Sequence, residues 1–183
     1  MPKVITWVDG DGRYRVTYPA YNDVLRPAGE TESECLERVW TRMVISGRYG
    51  ISADHPHFYV EQDALVAKEV TLSGTDFRYA GKPDTNGRRD GKDGAWEMDT
   101  DGTPTVNMAK ARGIQMDKIR VVRNKELAKK DIEFMKALEA DDGSSTAIAT
   151  EKQALRDIPQ TFDLTTDTPE ELKEKWPEGL PRD

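Results

Sequence analysis

The feature that most constrains this chain is a stretch over residues 108–140 that contains no proline and a single glycine, Gly113. Ala, Lys, Glu, Met, Leu and Arg dominate it, and these residues are good helix formers. A helix of ~30 residues is about 45 Å long. Such a helix is too long to be a core element of one small domain. The sequence therefore predicts a long helix that meets different neighbours along its length.

The apolar residues of this stretch support that prediction, because they do not stay on one side of the helix. One face of the helix holds Met108, Met116, Ile119 and Val122. A second face, about a quarter-turn away, holds Leu127, Phe134 and Leu138. A third face holds Ile132 and Met135. A drifting stripe is typical of a helix with several partners.

A second helix is expected over about 146–157, because residues 141–145 break the first one. Its inner face is expected to hold Ile148, Lys152, Leu155 and Ile158. The two helices together predict an antiparallel helical hairpin.

The N-terminal part predicts a small ββαβ unit over residues 1–72. Apolar and aromatic residues flank Asp9-Gly10-Asp11-Gly12, which is typical of a β-hairpin turn. Thr31 and Glu34 form a capping-box pattern ahead of a helix that ends near Gly47. Its apolar stripe is expected to pack on one face of the hairpin, and a further strand is expected over 58–60.

The segment over residues 73–107 reads as a Gly-rich arm followed by a second hairpin. Between residues 81 and 94 glycines alternate with charged residues and no apolar period is present. Asp99-Thr100-Asp101-Gly102 then separates two short strands. The fold class is therefore α+β: a ββαβ unit (1–72), a central β-hairpin with a Gly-rich loop (73–107), and a long helix in an antiparallel helical hairpin with a C-terminal tail (108–183).

Composition excludes several function classes. The chain has 34 acidic and 27 basic side chains, a net charge of −7, 36% hydrophobic and 33% charged residues, and a mean hydropathy of −0.76. No apolar window is long enough for a membrane span, and the acidic charge argues against nucleic acid as a partner. Cys35 is the only cysteine, so no intrachain disulfide is expected.

Patterns that carry chemistry are absent from the sequence. The pair His55 and His57 lacks a third ligand and is interpreted as surface turn residues. Neither a phosphate-binding glycine motif nor a nucleophile motif occurs. We therefore predict no catalytic residue, no cofactor and no metal. The chain is interpreted as a non-enzymatic interaction protein.

Candidate interface residues lie on the long helix and in the tail. The expected contact residues are Ile132, Phe134, Met135, Leu138 and Trp176. Trp176 follows a short capped helix that begins Thr168-Pro169-Glu170-Glu171. It either packs back on the helical hairpin or docks on another chain. Charged residues in place of Phe134 and Met135 are expected to disrupt complexes while the N-terminal unit stays folded.

The C-terminal two-fifths also resembles a known family. The pieces concerned are Asp117-Lys118-Ile119-Arg120, Asp131-Ile132-Glu133-Phe134-Met135, Gln153-Ala154-Leu155-Arg156-Asp157-Ile158-Pro159 and Trp176-Pro177. They are similar to a pattern in tail fibre assembly and tail assembly chaperone-like proteins of tailed bacteriophages. The resemblance covers most of residues 96–183 closely and the rest loosely, and it implies no catalytic residue.

The resemblance implies a tail-associated function with two forms. In the first, the chain is a structural component of the virion tail, baseplate or fibre attachment, and its partners are other phage tail, baseplate or fibre proteins. In the second, it is a chaperone that acts in the host cytoplasm during assembly and then dissociates. A third reading, from another class, is a nucleic-acid-associated or regulatory module that uses the basic part of helix 108–140. A homo-oligomer is also left open.

Overall fold

The computed structural model describes residues 2–9, 14–19, 27–47, 49–75, 77, 94–141 and 143–182. It divides into two compact units, Met1–Asn107 and Met108–Asp183. The α+β class expected from the sequence is confirmed. The Gly-rich residues 81–93 and the turn residues 10–13 lie outside the described residues.

The first unit is built on a three-stranded antiparallel sheet in the order β2-β1-β3. Its strands are β1 (Lys3–Val8), β2 (Tyr14–Thr17) and β3 (His57–Glu61). Val8 pairs with Tyr14 at the hairpin end, and Thr6 pairs with both Val16 and Phe58. The central strand β1 is buried on both faces, since a layer covers each side of the sheet.

Helix α1 (Glu32–Ile45) covers one face of this sheet, as its apolar stripe predicted. Ile5 and Trp7 of β1 cluster with Leu36, Trp40 and Met43 of the helix. The Trp7 and Trp40 rings meet edge to face with their centroids 6.2 Å apart. The predicted capping box is present: the Glu34 N–H donates to Thr31 Oγ1, and the Thr31 N–H donates to the Glu34 carboxylate.

The opposite face is covered by elements that follow β3. Helix α2 (Gln62–Ser73) places Leu65 against Val4 and Val60. The sequence pattern did not predict this helix. Its inner face has only Leu65 and Leu72 as large buried residues, whereas Val66 and Val70 are exposed on its outer side. The apolar residues therefore surround the helix and hide its period.

The second hairpin also lies on that face. It consists of β4 (Trp96–Met98) and β5 (Pro104–Val106), which pair antiparallel as expected. Its turn residue Gly102 has φ +82° and approaches the sheet so closely that a Cβ would lie 2.3 Å from Phe58 Cβ. The hairpin turn is therefore pressed against β3 and β1, where only a glycine fits.

The second unit contains α3 (Met108–Ala140), α4 (Ser145–Thr161) and α5 (Pro169–Glu174). The predicted long helix and helical hairpin are confirmed. Helix α4 continues past Pro159 to Thr161, beyond the end expected from the sequence. A proline in the last turn removes only one backbone N–H donor. The Phe162 N–H then completes the turn by donating to the Ile158 carbonyl at 2.9 Å.

The tail packs on the N-terminal half of α3. Its Leu172 and Leu180 side chains are buried, as are Ala111 and Ile119 of α3. Gln115, which is 2% exposed, donates from Nε2 to the backbone carbonyls of Lys173 (3.4 Å) and Lys175 (3.0 Å). These carbonyls lie at the C-terminal end of α5, where a helix has no further N–H groups of its own to offer, so Gln115 acts as a cap.

We expect stability to fall in acid, because hydrogen bonds lower the pKa of four carboxylates. Their donors are Thr31 for Glu34, Thr103 for Asp101, Thr165 for Asp163 and Arg182 for Glu174. The contribution of these carboxylates is fully present above the unfolded pKa values of 4.5 for Glu and 3.8 for Asp. It is lost as the pH falls through the lower folded values. Thermal unfolding should show Tm dropping between about pH 5 and pH 3, and a flat Tm there would contradict the assignment.

Candidate interaction surface

The C-terminal half of α3 pairs with α4 through ion pairs. Lys130 Nζ lies 2.7 Å from Glu151 Oε2, and Lys152 Nζ lies 2.7 Å from Asp131 Oδ1. Only residues 141–144 connect the two helices, and so short a connection makes them antiparallel neighbours. The carboxylates of Glu133 and Glu151 raise the pKa of Lys130. Cross-helix pairs of this kind help to set the register of the hairpin, although exposed pairs add little stability.

The inner face of this hairpin is only half-buried. The residues predicted for the inner face of α4, Ile148, Lys152, Leu155 and Ile158, are each partly buried. Lys152 Nζ lies 4.5 Å from the centroid of the Phe134 ring, a cation–π contact. Phe134 is therefore engaged within its own unit, on the side of α3 that meets α4.

The opposite side of α3 presents a row of exposed apolar side chains, which we name the α3 stripe: Val121, Ala128, Ile132 and Met135. Three of them are large, with exposed fractions of 45% for Val121, 61% for Ile132 and 57% for Met135. Leu138 lies at its C-terminal edge and is 51% exposed. Helix geometry places the four residues of the α3 stripe on one side, at intervals of seven, four and three positions, and Leu138 about a quarter-turn away.

The five residues expected at an interface thus occupy three different environments. Ile132, Met135 and Leu138 are exposed on neighbouring turns of α3, and Phe134 faces Lys152. Trp176 is half-buried, and its Nε1 donates to the Leu180 carbonyl at 3.1 Å within the tail.

Sequence reasoning missed two parts of this surface. Val121 and Ala128 were not chosen, and neither was the row of lysines beside them, Lys118, Lys125, Lys129 and Lys136. The signal that could have found the two apolar residues is the spacing of 121, 128, 132 and 135, because intervals of seven, four and three residues keep to one side of a helix. It was masked by the apolar residues on the other sides of the helix.

The two histidines are held by backbone carbonyls. His55 Nε2 bonds to the Val8 carbonyl, and His57 Nδ1 lies 2.9 Å from the His55 carbonyl oxygen. The His57 ring also stacks on Trp40 with centroids 4.1 Å apart. Among the described residues, no group of three or more His, Cys, Asp and Glu side chains is placed to hold a metal ion.

In the part of the chain that the structure describes, no helix combines the length and apolarity needed to cross a membrane. Comparison with models of protein families, with curated proteins and with solved structures finds no match to this chain.

Proposed function

We propose that this chain is a non-enzymatic tail-associated protein of a bacteriophage, a virion component of the tail, baseplate or fibre-attachment region. It acts through protein–protein contacts of the α3 stripe. The observation that supports this most is that Ile132 and Met135 are both more than half exposed, whereas Phe134 between them contacts Lys152 of α4. The phage assignment itself comes from the sequence resemblance.

The energetics of the stripe favour a binding role. Burying a large aliphatic side chain fully is worth about 1.5–3 kcal/mol, so covering several half-exposed ones yields enough to anchor a partner. The stripe belongs to a helix that is already formed and paired with α4 before binding, which reduces the ordering cost of association. An assembly protein needs such a pre-formed surface.

The experiment that tests the function is proteomics of purified particles combined with lysine crosslinking. The proposal expects the chain in the particles, with crosslinks from Lys125, Lys129 or Lys136 to another tail protein. A chain found in infected cells but absent from particles would instead favour the assembly chaperone. Crosslinks that come only from lysines far from the stripe would contradict the assigned surface.

We expect Ile132→Glu combined with Met135→Glu to reduce incorporation into particles at least about tenfold, because losing two central apolar contacts typically costs more than about 1.4 kcal/mol. Quantitative proteomics of variant particles measures this. Phe134 is left unchanged, since its contact with Lys152 makes it part of the hairpin.

Val70→Glu is the matched control, because Val70 is a 69% exposed apolar residue on helix α2 of the first unit. It should be incorporated normally. Circular dichroism of both proteins should show unchanged helix content. Normal incorporation of the double variant would refute the role of the stripe.

A further inference from the structure

We propose that the outer edge of strand β3 pairs antiparallel with the same edge of a second copy of this chain. The three-stranded sheets of the two copies then join into one continuous sheet, related by a two-fold axis between the two Tyr59 residues. This edge belongs to the first unit and is separate from the α3 stripe, so it adds an interaction beyond the proposed function.

The hydrogen-bond phase of the β1–β3 pair determines which main-chain groups of β3 point outward. The Gln62 N–H, directly after the strand, donates to the Pro2 carbonyl at 3.0 Å, so residue 62 faces β1. Residues that face the neighbouring strand alternate with residues that face away from it, so Val60 and Phe58 also face β1. The odd-numbered residues of β3 therefore direct their N–H and C=O groups away from the sheet.

These outward groups form an open edge. Among the residues that the structure describes, none forms a hydrogen bond with the outward main-chain groups of His57 and Tyr59. The usual protections of an edge are missing, since β3 contains no proline and pairs with β1 without a bulge. The spacing of such groups matches the main chain of another extended strand, which is the element that adds to a sheet edge.

The side chains favour a second copy as that strand, because β3 is complementary to itself. All five residues of β3 are paired only when Tyr59 lies opposite Tyr59 of the copy. Phe58 then lies opposite Val60, which is an apolar pair, and His57 lies opposite Glu61. Two aromatic rings meet at the axis, and cross-strand pairs of these kinds stabilise a sheet.

The charges at the edge also fit this register. Glu61 Oε1 lies 3.8 Å from Lys3 Nζ of its own β1, so the glutamate keeps a basic neighbour in the dimer. The imidazole of His57 opposite it is neutral or positive and repels a carboxylate in neither form. A pairing centred on Glu61 instead would place two carboxylates directly opposite each other, which is destabilising.

Helix α1 leaves room for the second copy. It packs on Ile5 and Trp7 of the central strand β1, one strand away from the edge. In the joined sheet, β1 and its copy are three strand spacings apart, which is about 14 Å. Two helices of about 10–12 Å diameter fit side by side at that distance.

The first test is the mass and register of the full chain in solution. Sedimentation should show a concentration-dependent dimer with twice the monomer mass of 20.6 kDa. Tyr59→Cys should then give a covalent dimer on mild oxidation, because residues opposite each other in a hydrogen-bonded pair have Cα atoms about 5.5 Å apart, within disulfide range. Cys35 is buried and should not compete.

Glu61→Cys is the matched control on the same strand. In the proposed register the two residues at position 61 are four positions apart, about 13 Å, so this variant should crosslink at least about tenfold less. The double variant His57→Cys with Glu61→Cys should crosslink again, since these positions lie opposite each other. Equal crosslinking of Tyr59→Cys and Glu61→Cys would overturn the inference.

Proline substitution tests the phase of the hydrogen bonds. Tyr59→Pro removes an N–H that the chain's own sheet does not use, and an edge strand accepts proline at such a position. It should weaken dimerisation at least about tenfold without loss of the circular dichroism signal, because symmetry removes two hydrogen bonds at once. Phe58→Pro removes an N–H that faces β1 and should unfold the first unit. A folded Tyr59→Pro protein that dimerises normally would refute the edge pairing, and the crosslinking variants decide the case if Tyr59→Pro does not fold.

Further arms address other partners. A dimer that is lost in Ile132→Ser with Met135→Ser but kept in Tyr59→Pro would place the second copy on the α3 stripe and overturn the inference. A chain that stays monomeric up to ~100 μM would also overturn it, even if the β3 edge then binds an extended peptide of another protein. An edge-paired dimer that is absent from purified particles would refute only the proposed function.

Discussion

Gly102→Ala is expected to destabilise the first unit by about 3–5 kcal/mol, because it combines a steric clash with an unfavourable backbone conformation. An added Cβ would lie 2.3 Å from Phe58 Cβ, 2.7 Å from Phe58 Cγ and 2.8 Å from Thr6 Oγ1. Thr6 is fully buried on the central strand β1, and the Phe58 Cβ is fixed to the backbone of β3, so neither neighbour can easily move away. The backbone of Gly102 also has φ +82°, which an L-residue adopts at a cost.

Gly29→Ala is the control that separates these two causes. Gly29 belongs to the same unit and has φ +84°, but nothing lies within 4 Å of the position that its Cβ would occupy. It should therefore show the backbone cost alone, about 1–2 kcal/mol. Urea unfolding followed by tryptophan fluorescence measures both, since Trp7, Trp40 and Trp96 all lie in this unit. Equal destabilisation by the two alanines would show that the hairpin turn does not press on the sheet.

Gln115→Glu is expected to destabilise the second unit by about 2–4 kcal/mol. The glutamine amide donates to two carbonyls at the end of α5, and a carboxylate has no hydrogen to donate. The substitution would place a negative charge against two carbonyl oxygens at a site that is 2% exposed. Hydrogen exchange of the tail amides over 162–182 should accelerate, because the tail loses its attachment to α3.

Gln153→Glu provides the comparison for Gln115→Glu. Gln153 is exposed on α4 and donates to Asp157, so the same chemical change there should cost less than about 0.5 kcal/mol. Gln115→Met, which keeps the approximate shape but donates nothing, should fall between the two. Tail amides that exchange at the wild-type rate in Gln115→Glu would show that this glutamine does not hold α5.

The elements that the sequence predicts well are those whose signals are local. The caps at Thr31 and Thr168 join residues three positions apart, and both are present in the structure. The two hairpins and the long helix likewise follow from turn residues and helix propensity within a short window. Helix α2 was not predicted, because its exposed Val66 and Val70 obscure the helical period of the buried Leu65 and Leu72.

The candidate surface could be predicted only in part. The sequence pointed to the C-terminal half of α3 and to Ile132, Met135 and Leu138, which are exposed. It could not separate them from Phe134, because apolar residues on several sides of a helix do not indicate which side its neighbour will cover. Only the position of α4 assigns Phe134 to Lys152 and leaves the α3 stripe exposed.

The sequence by itself therefore determined the α+β class, the capped starts of two helices and a helix too long for one small core. Each of these features depends on residues that are close together in the chain. The tertiary structure decided the rest through contacts between distant residues. Gln115 reaches a carbonyl 60 positions away, and Gly102 is pressed against Thr6 and Phe58. Such contacts depend on how whole elements pack, and no short sequence pattern encodes that packing.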